Sequence, residues 1–351
     1  MKKIRYTLLA AVAAVAFTSC EKVSPIGVLV SGTGVEDRVK MSSKYYEEHK
    51  LDYKSHLVVG DYTFLVGADS HLTTDDSRMA EMLQMGLDNN DLFWAHLGDI
   101  ADTKAEYYIT LENVLDQYKR KWAEKHYAKV FVGDENDPNQ LADDDYYFYS
   151  DGEKLIPFEK LPFPFYPVVG NHDITHNGWA LWSNIFHSSF YQVGIIVLTD
   201  LEKGEMVMDR LIFLDSASGT LGREQVELIE QGNLDAKELE KEYGVKSRNT
   251  FVFSHTNIFR PRSVEFASTF PREEMFFLLN KFSEWNATIV FLGHVHMWDH
   301  QTVNGIEYLT LDSMCEANNP EPGDYLVRVK CKADGSVAWE KVHMNYTPNK
   351  K

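Results

Sequence analysis

Cysteine is scarce in this sequence, with three among 351 residues: Cys20, Cys315 and Cys331. No two lie in a Cys-x-x-Cys pair, which excludes a thiolate zinc site or a dithiol redox centre. Cys315 and Cys331 could pair in an oxidising compartment and are read as structural. Long apolar runs are lacking too. The N-terminal one, Leu8–Phe17, is shorter than the ~20 residues that cross a bilayer. Positive charge is in deficit: Lys and Arg number 35 against 53 Asp and Glu, for a net charge of −18. Such a surface repels polyphosphate backbones, so no nucleic-acid binding is expected. An anionic substrate would need a local source of positive charge, which a bound metal can supply. Repeats and low-complexity tracts are missing as well. With 44% hydrophobic and 25% charged residues, the composition is that of a globular protein, not a disordered chain.

The first 19 residues hold Lys2, Lys3 and Arg5 and no acid, so the remainder carries −21. A basic start, an apolar stretch and small residues make a secretory signal. Thr18-Ser19-Cys20 resembles the end of a bacterial lipobox, in which the cysteine is lipidated and becomes the mature N-terminus. The expected organisation is a signal peptide over 1–19, a tether over 20–45 and one domain over 46–351. The chain would then be secreted across the inner membrane and held in the cell envelope by lipid on Cys20, facing the periplasm or the surface.

Short apolar runs alternate with longer amphipathic ones. The strand-like runs are Tyr62–Ala68, Leu92–Leu97, Phe165–Val169, Leu211–Leu214, Thr250–Phe253 and Thr288–Leu292. Several are apolar throughout, as strands buried on both faces are. Helical patterns fall between them at Asp76–Asp88, Glu106–Lys125, Gly222–Gln231 and Arg272–Trp285. Asn304-Gly305 between two strand-like runs predicts a hairpin. This alternation predicts a layered α/β fold with antiparallel strands toward the C-terminus. Residues 133–154 form an acidic insertion with a Tyr/Phe cluster, expected as a solvated surface segment, with a lid as the sharper alternative.

Five motifs follow strand-like runs in order: Asp69-Ser70-His71, Gly98-Asp99, Gly170-Asn171-His172-Asp173, His255 and Gly293-His294-Val295-His296. Loops leaving the carboxyl ends of strands in an α/β sheet converge on one crevice. Asp69 with His71, and His294 with His296, are two apart, so an extended backbone would present each pair to one side. Seven nitrogen and oxygen donors result: Asp69, His71, Asp99, Asn171, His255, His294 and His296. That exceeds what one tetrahedral ion needs and suits a two-metal site. Imidazole with carboxylate fits Mn, Fe, Zn or Ni. Glycines before Asp99, Asn171 and His294 permit tight turns there. A four-residue match such as Gly-Asn-His-Asp arises by chance in roughly one chain of several hundred of this length.

Together these motifs resemble the calcineurin-like metallophosphoesterase superfamily over about Tyr62–Met314. The resemblance implies a four-layer α/β sandwich of two mixed β-sheets flanked by helices. It places one metal on Asp69, His71, Asp99 and His296, and a second on Asp99, Asn171, His255 and His294, with Asp99 bridging. It implies hydrolysis of a small phosphorylated substrate, a phosphate mono- or diester, by metal-hydroxide attack. His172 would assist the leaving group, and Asp173 beside it would orient the imidazole and raise its pKa. Asp102 reads equally as a functional acid or as a supporting or solvent-exposed one. Thr103-Lys104 stand where the Ser/Thr protein phosphatases carry Arg-Gly, so that branch is not indicated. Asn177, Trp179, Phe259, Arg260 and Trp298 are expected at the pocket rim. The reading from another class is an envelope-anchored ligand- or glycan-binding protein with a vestigial metal site.

Overall fold

A computed structural model describes residues 33–49, 57–134, 136–141, 146–259, 270–314 and 326–344. The expected signal peptide, Cys20, Arg260, Cys315 and parts of the acidic insertion lie outside them. In chain order the elements are α1 (Val35–Glu48), β1 (Leu57–Val59), β2 (Tyr62–Gly67), α2 (Ser77–Asn89), β3 (Trp94–His96), α3 (Ala105–His126) and β4 (Ala128–Phe131). There follow β5 (Tyr147–Ser150), β6 (Leu155–Pro157), β7 (Phe165–Pro167), α4 (Asn171–Ile174), α5 (Trp179–Phe186), β8 (Tyr191–Asp200) and β9 (Glu205–Leu214). The chain continues through α6 (Gly222–Glu230), α7 (Ala236–Tyr243), β10 (Lys246–Ser254), α8 (Arg272–Glu284), β11 (Ala287–Leu292), β12 (Asp299–Val303), β13 (Ile306–Thr310), β14 (Leu326–Cys331) and β15 (Val337–Val342).

Two mixed sheets stack face to face, one in the order β1-β8-β9-β10-β11-β13-β12, the other β15-β14-β2-β3-β7. Alternation along the strands explains their continuous apolarity. On β9, β10 and β11, Leu211, Phe213, Phe251, Phe253, Ile289 and Phe291 face the core between the sheets. Their neighbours Ile212, Leu214, Val252, Val290 and Leu292 face the outer core with α8. A row of stacked rings crosses the first sheet: Tyr191–Phe213 at 4.5 Å, Phe213–Phe253 at 4.6 Å and Phe253–Phe291 at 5.0 Å. Phe64 of the second sheet meets Phe251 edge-on at 5.2 Å. Such ring pairs contribute about 0.5–1.5 kcal/mol each beyond area burial. On the other side, α3 buries Tyr108, Leu111, Leu115, Tyr118 and Trp122 at helical spacing, together with Met79, Met82, Leu83 and Leu87 of α2. The architecture is thus the expected helix–sheet–sheet–helix sandwich.

Asn304 (φ 53°) and Gly305 (φ 80°) form the turn of the β12–β13 hairpin, both in the left-handed region a type I′ turn requires. Two expectations need correction. The tether does not extend to residue 45, because α1 folds onto the sandwich from Val35. Its Arg38 is buried, with Nε and Nη2 each 2.9 Å from the Asp215 carboxylate. The acidic insertion is not wholly a solvated loop. Its Tyr147–Ser150 pairs with Ala128–Phe131 and Leu155–Pro157 in a three-stranded antiparallel sheet. Tyr149 there is buried against the α3 side of the core. Among the described residues no helix is long and apolar enough to cross a membrane.

Candidate metal centre

The carboxyl ends of β2, β3 and β7 in one sheet and β10 and β11 in the other lie at one end of the sandwich. The five motifs follow those strands, so residues spread from 69 to 296 meet there. Asp69, His71, Asp99 and His296 form one group whose donor atoms all lie within 4.8 Å of one another, and Asp99, His255 and His294 form a second. Asp99 belongs to both. His71 Nε2 is 3.8 Å from Asp99 Oδ2 and 3.3 Å from His296 Nε2, and His296 Nε2 is 3.4 Å from Asp69 Oδ1. His255 Nε2 is 3.5 Å from Asp99 Oδ1 and 2.9 Å from Asn171 Oδ1. All seven sequence-derived donors are therefore brought to one place.

The local backbone differs from the extended one expected for the paired donors. Asp69 (φ 52°), His71 (41°), Asp99 (50°), His294 (73°) and His296 (52°) are all left-handed, a conformation unusual outside glycine and concentrated at functional sites. Each turn is held by specific hydrogen bonds. The His294 N–H donates to Asp69 Oδ2 at 3.0 Å and the His172 N–H to Asp99 Oδ1 at 2.7 Å. The Asp69 N–H donates to the Gly98 carbonyl at 3.1 Å. Gly98 has φ +89°. Gly170 is needed for closeness instead, since a Cβ there would stand 2.1 Å from the Asp99 amide nitrogen and 2.2 Å from its Oδ1.

The donor set fits divalent cations. Asp69 and Asp99 are buried to 0% and 1% exposure, and their ion-pair partners among the described residues are imidazoles, with no Lys or Arg. Paired carboxylates buried in this way require positive charge. Burial pushes the Asp69 carboxyl up, but the imidazoles of His296, His255 and His71 outweigh it and hold it below the carboxylate range. Burial lowers His294 to about 4, so it is a neutral donor at pH 7. His255 Nδ1 lies 2.7 Å from the Leu97 carbonyl oxygen and donates to it, which leaves Nε2 free to ligate.

Asp173 does not orient His172, contrary to expectation. Its two carboxyl oxygens accept the N–H groups of Gly170 (2.8 Å), Ile100 (3.0 Å) and Ala101 (3.2 Å), which ties the β7 turn to the β3 turn. Burial, and then the charge of Asp99, push its carboxyl up to about 7. The acid facing the imidazole is Asp102, whose Oδ1 is 3.0 Å from His172 Nδ1 and 3.4 Å from His71 Nδ1. Burial raises the Asp102 carboxyl, but the hydrogen bonds from His172 and His71 outweigh this and hold it low. Three of the expected rim residues pack against aromatic neighbours. Trp179 is buried and stacks on Trp182 at 5.4 Å, Phe259 packs edge-on against Tyr308 at 5.0 Å, and Trp298 packs on Trp339 at 5.7 Å under Lys341. Asn177 is exposed, with φ 65°.

The model of the calcineurin-like phosphoesterase family matches residues 62–298, and the chain belongs to that family. Among curated proteins, no match was found. Solved structures of similar layout include GAP50, the anchor in the inner membrane complex of Plasmodium, at 13% identity and a TM-score of 0.45, covering 82% of this chain and 90% of that one. A dimetal phosphatase from Danio rerio is similar at 11% identity and a TM-score of 0.40, covering 77% and 92%. An archaeal phosphodiesterase is similar at 9% identity and a TM-score of 0.33, covering 80% and 99%.

Proposed function

We propose that the protein is a dinuclear-metal phosphoric ester hydrolase acting on a small phosphorylated substrate in the cell envelope. The observation that carries the reading is Asp99, shared by two groups of convergent donors within one buried cluster. Asp69, His71, Asp99 and His296 would hold one cation, and Asp99, Asn171, His255 and His294 the other. Mn, Fe, Zn or Ni suit these ligands. Bound there, two such ions would neutralise phosphoryl oxygens and make hydroxide available near neutral pH.

The chain's own residues supply the remainder. Asp102 orients the His172 ring through Nδ1, and Nε2 would donate a proton to the departing oxygen. Asp173 keeps the Asp99 and Asn171 turns in register by holding the backbone of both. Burial of Asp69 and Asp99 away from water strengthens their hold on cations.

The test is turnover of a chromogenic phosphomonoester and a diester in parallel, each with and without added Mn. Metal-dependent release from either supports the hydrolase. No release from both, with no metal retained, favours an envelope-anchored binding protein.

A further inference from the structure

Away from the metal centre, a cavity of about 350 Å³ lies between the start of α7 and the end of α8, and Arg210 of β9 and Trp285 line it. Both residues are buried, at 0% and 5% exposure. Arg210 donates through Nη1 to the Leu234 carbonyl at 2.7 Å. Through Nη2 it reaches the Thr250 hydroxyl at 3.2 Å and the Trp285 carbonyl at 3.4 Å. All of these acceptors are neutral. The Arg210 Nε–H and the Trp285 indole N–H have no acceptor among the described residues. Buried donors without acceptors and buried charges without partners are both costly and uncommon. Thr250, opposite Arg210 in the sheet, precedes Ser254 at the end of β10 by four residues, roughly 13 Å of strand. The cavity is thus separate from the metal centre.

The acids of the cavity wall do not supply the missing charge. Asp235 pairs with Lys237 at 3.4 Å, Glu240 with Lys246 at 2.7 Å and Glu284 with Lys281 at 2.7 Å. Arg248, another cation of the wall, is held by Asp209 at 2.8 Å. Each carboxylate has a cation of its own, and among the described residues Arg210 pairs with none. Burial lowers its pKa, against the more distant charges of Asp235 and Glu240, to about 10, so it stays charged at pH 7. We propose that this cavity is a binding site for a small organic monocarboxylate, seated on the Arg210 guanidinium and the Trp285 indole N–H. A carboxylate brings two acceptor oxygens to two N–H groups and one negative charge to one unpaired cation. A phosphate monoester carries about 1.5 to 2 charges at neutral pH, more than Arg210 matches, and the wall carboxylates would repel the excess. A cavity of this size leaves room for several carbons behind the carboxylate.

The test titrates sodium butyrate into the ¹⁵N-labelled full chain at pH 7 and follows the Trp285 indole N–H resonance, assigned with Trp285→Phe. Sodium chloride at equal ionic strength is the control. A saturable shift with butyrate and not with chloride supports the site. No shift, or an equal one with chloride, overturns it. This resonance reports the cavity whether or not carboxylate also binds at the metal centre. Arg210→Gln should raise the half-saturating butyrate concentration by at least about tenfold, through loss of a hydrogen bond from a charged donor. Arg210 also holds the Leu234 and Trp285 carbonyls, so a variant that keeps it and closes the cavity guards against a failure to fold. Ala236→Trp does this from the first turn of α7, where Ala236 lines the cavity. Loss of the butyrate shift in Ala236→Trp supports the site, and an unchanged titration overturns it. Tighter binding of inorganic phosphate than of butyrate at this resonance overturns the carboxylate assignment.

Discussion

His172 Nδ1 and Asp102 Oδ1 lie 3.0 Å apart, across a gap of seventy residues in the chain. This contact gives the imidazole a defined orientation and separates two roles that the motif alone merges. Asp102 addresses the ring, and Asp173 addresses the backbone. Replacing His172 with Ala should leave the metal content intact and slow turnover by about 10²–10⁴-fold, the usual range for a positioned proton donor. Asp102→Asn should show a smaller loss, greater for poor leaving groups than for nitrophenolate. An unchanged rate on a poor leaving group in His172→Ala would remove His172 from the chemistry, and in Asp102→Asn would remove the orienting role of Asp102.

Asp99 is the residue on which both donor groups depend. Asp99→Asn keeps the shape and the acceptor for the His172 N–H but halves the ligand charge. Metal retention and turnover should fall together, each by at least about 10²-fold, read by elemental analysis and phosphate release. A variant that kept its metal would show that the carboxylate does not bridge.

Removal of metal should also be felt by the fold. Asp69 and Asp99 are buried together, and among the described residues their ion-pair partners are imidazoles, with one backbone N–H donating to each. Chelation should lower the midpoint of thermal unfolding, and Mn or Zn should restore it in a concentration-dependent way. A midpoint indifferent to chelator and metal would count against cation binding at this site.

Arg38→Leu should destabilise the protein by about 3–5 kcal/mol, because it strands the Asp215 carboxylate in the interior. Urea unfolding measures this, and the double variant Arg38→Leu/Asp215→Leu should recover part of the loss. If the single variant were as stable as the parent, α1 would not be part of the folded unit.

Glu36 gives a pH-dependent counterpart. Burial raises its carboxyl, but the N–H groups of Glu224 and Arg223, with the charges of Arg223 and Lys40, together outweigh it and hold the carboxyl below its ordinary value. A carboxyl lowered in the folded state contributes stability above its unfolded pKa and loses it as pH falls through the folded value. The stability difference between the parent and Glu36→Gln should therefore be present at neutral pH and shrink below about pH 4.5, as followed by urea midpoints. A difference that is constant with pH would refute the capping role.

Much of the site was legible because its chemistry is local in sequence. Each donor follows a run apolar enough to be a buried strand, and strand ends of an α/β sheet converge. What could not be read was orientation. Nothing in Gly-Asn-His-Asp tells whether Asp173 turns toward the ring or toward three backbone N–H groups, and Asp102 reaches His172 only once β3 and β7 are neighbours. The convergence of Asp69 and His71 arises from left-handed backbone that their spacing does not reveal. The α1 helix was hidden because its buried positions are Arg38, Val39 and Ser42, not an apolar stripe. Gly194 interrupts the apolar run of β8, although it serves there to admit Met208, whose Sδ would be 2.7 Å from a Cβ. Of the aromatics near the motifs, Trp179 is buried, while Phe259 and Trp298 are half-buried against aromatic partners that sequence proximity does not reveal.

The central claim is that seven side chains form one cage for paired cations. Counting the metal ions in the purified protein, by elemental analysis after loading and desalting, tests it most directly. The parent should carry about two ions per chain, and Asp99→Asn should lose nearly all of both. A parent that retains no ions, or a variant that retains both, would contradict it.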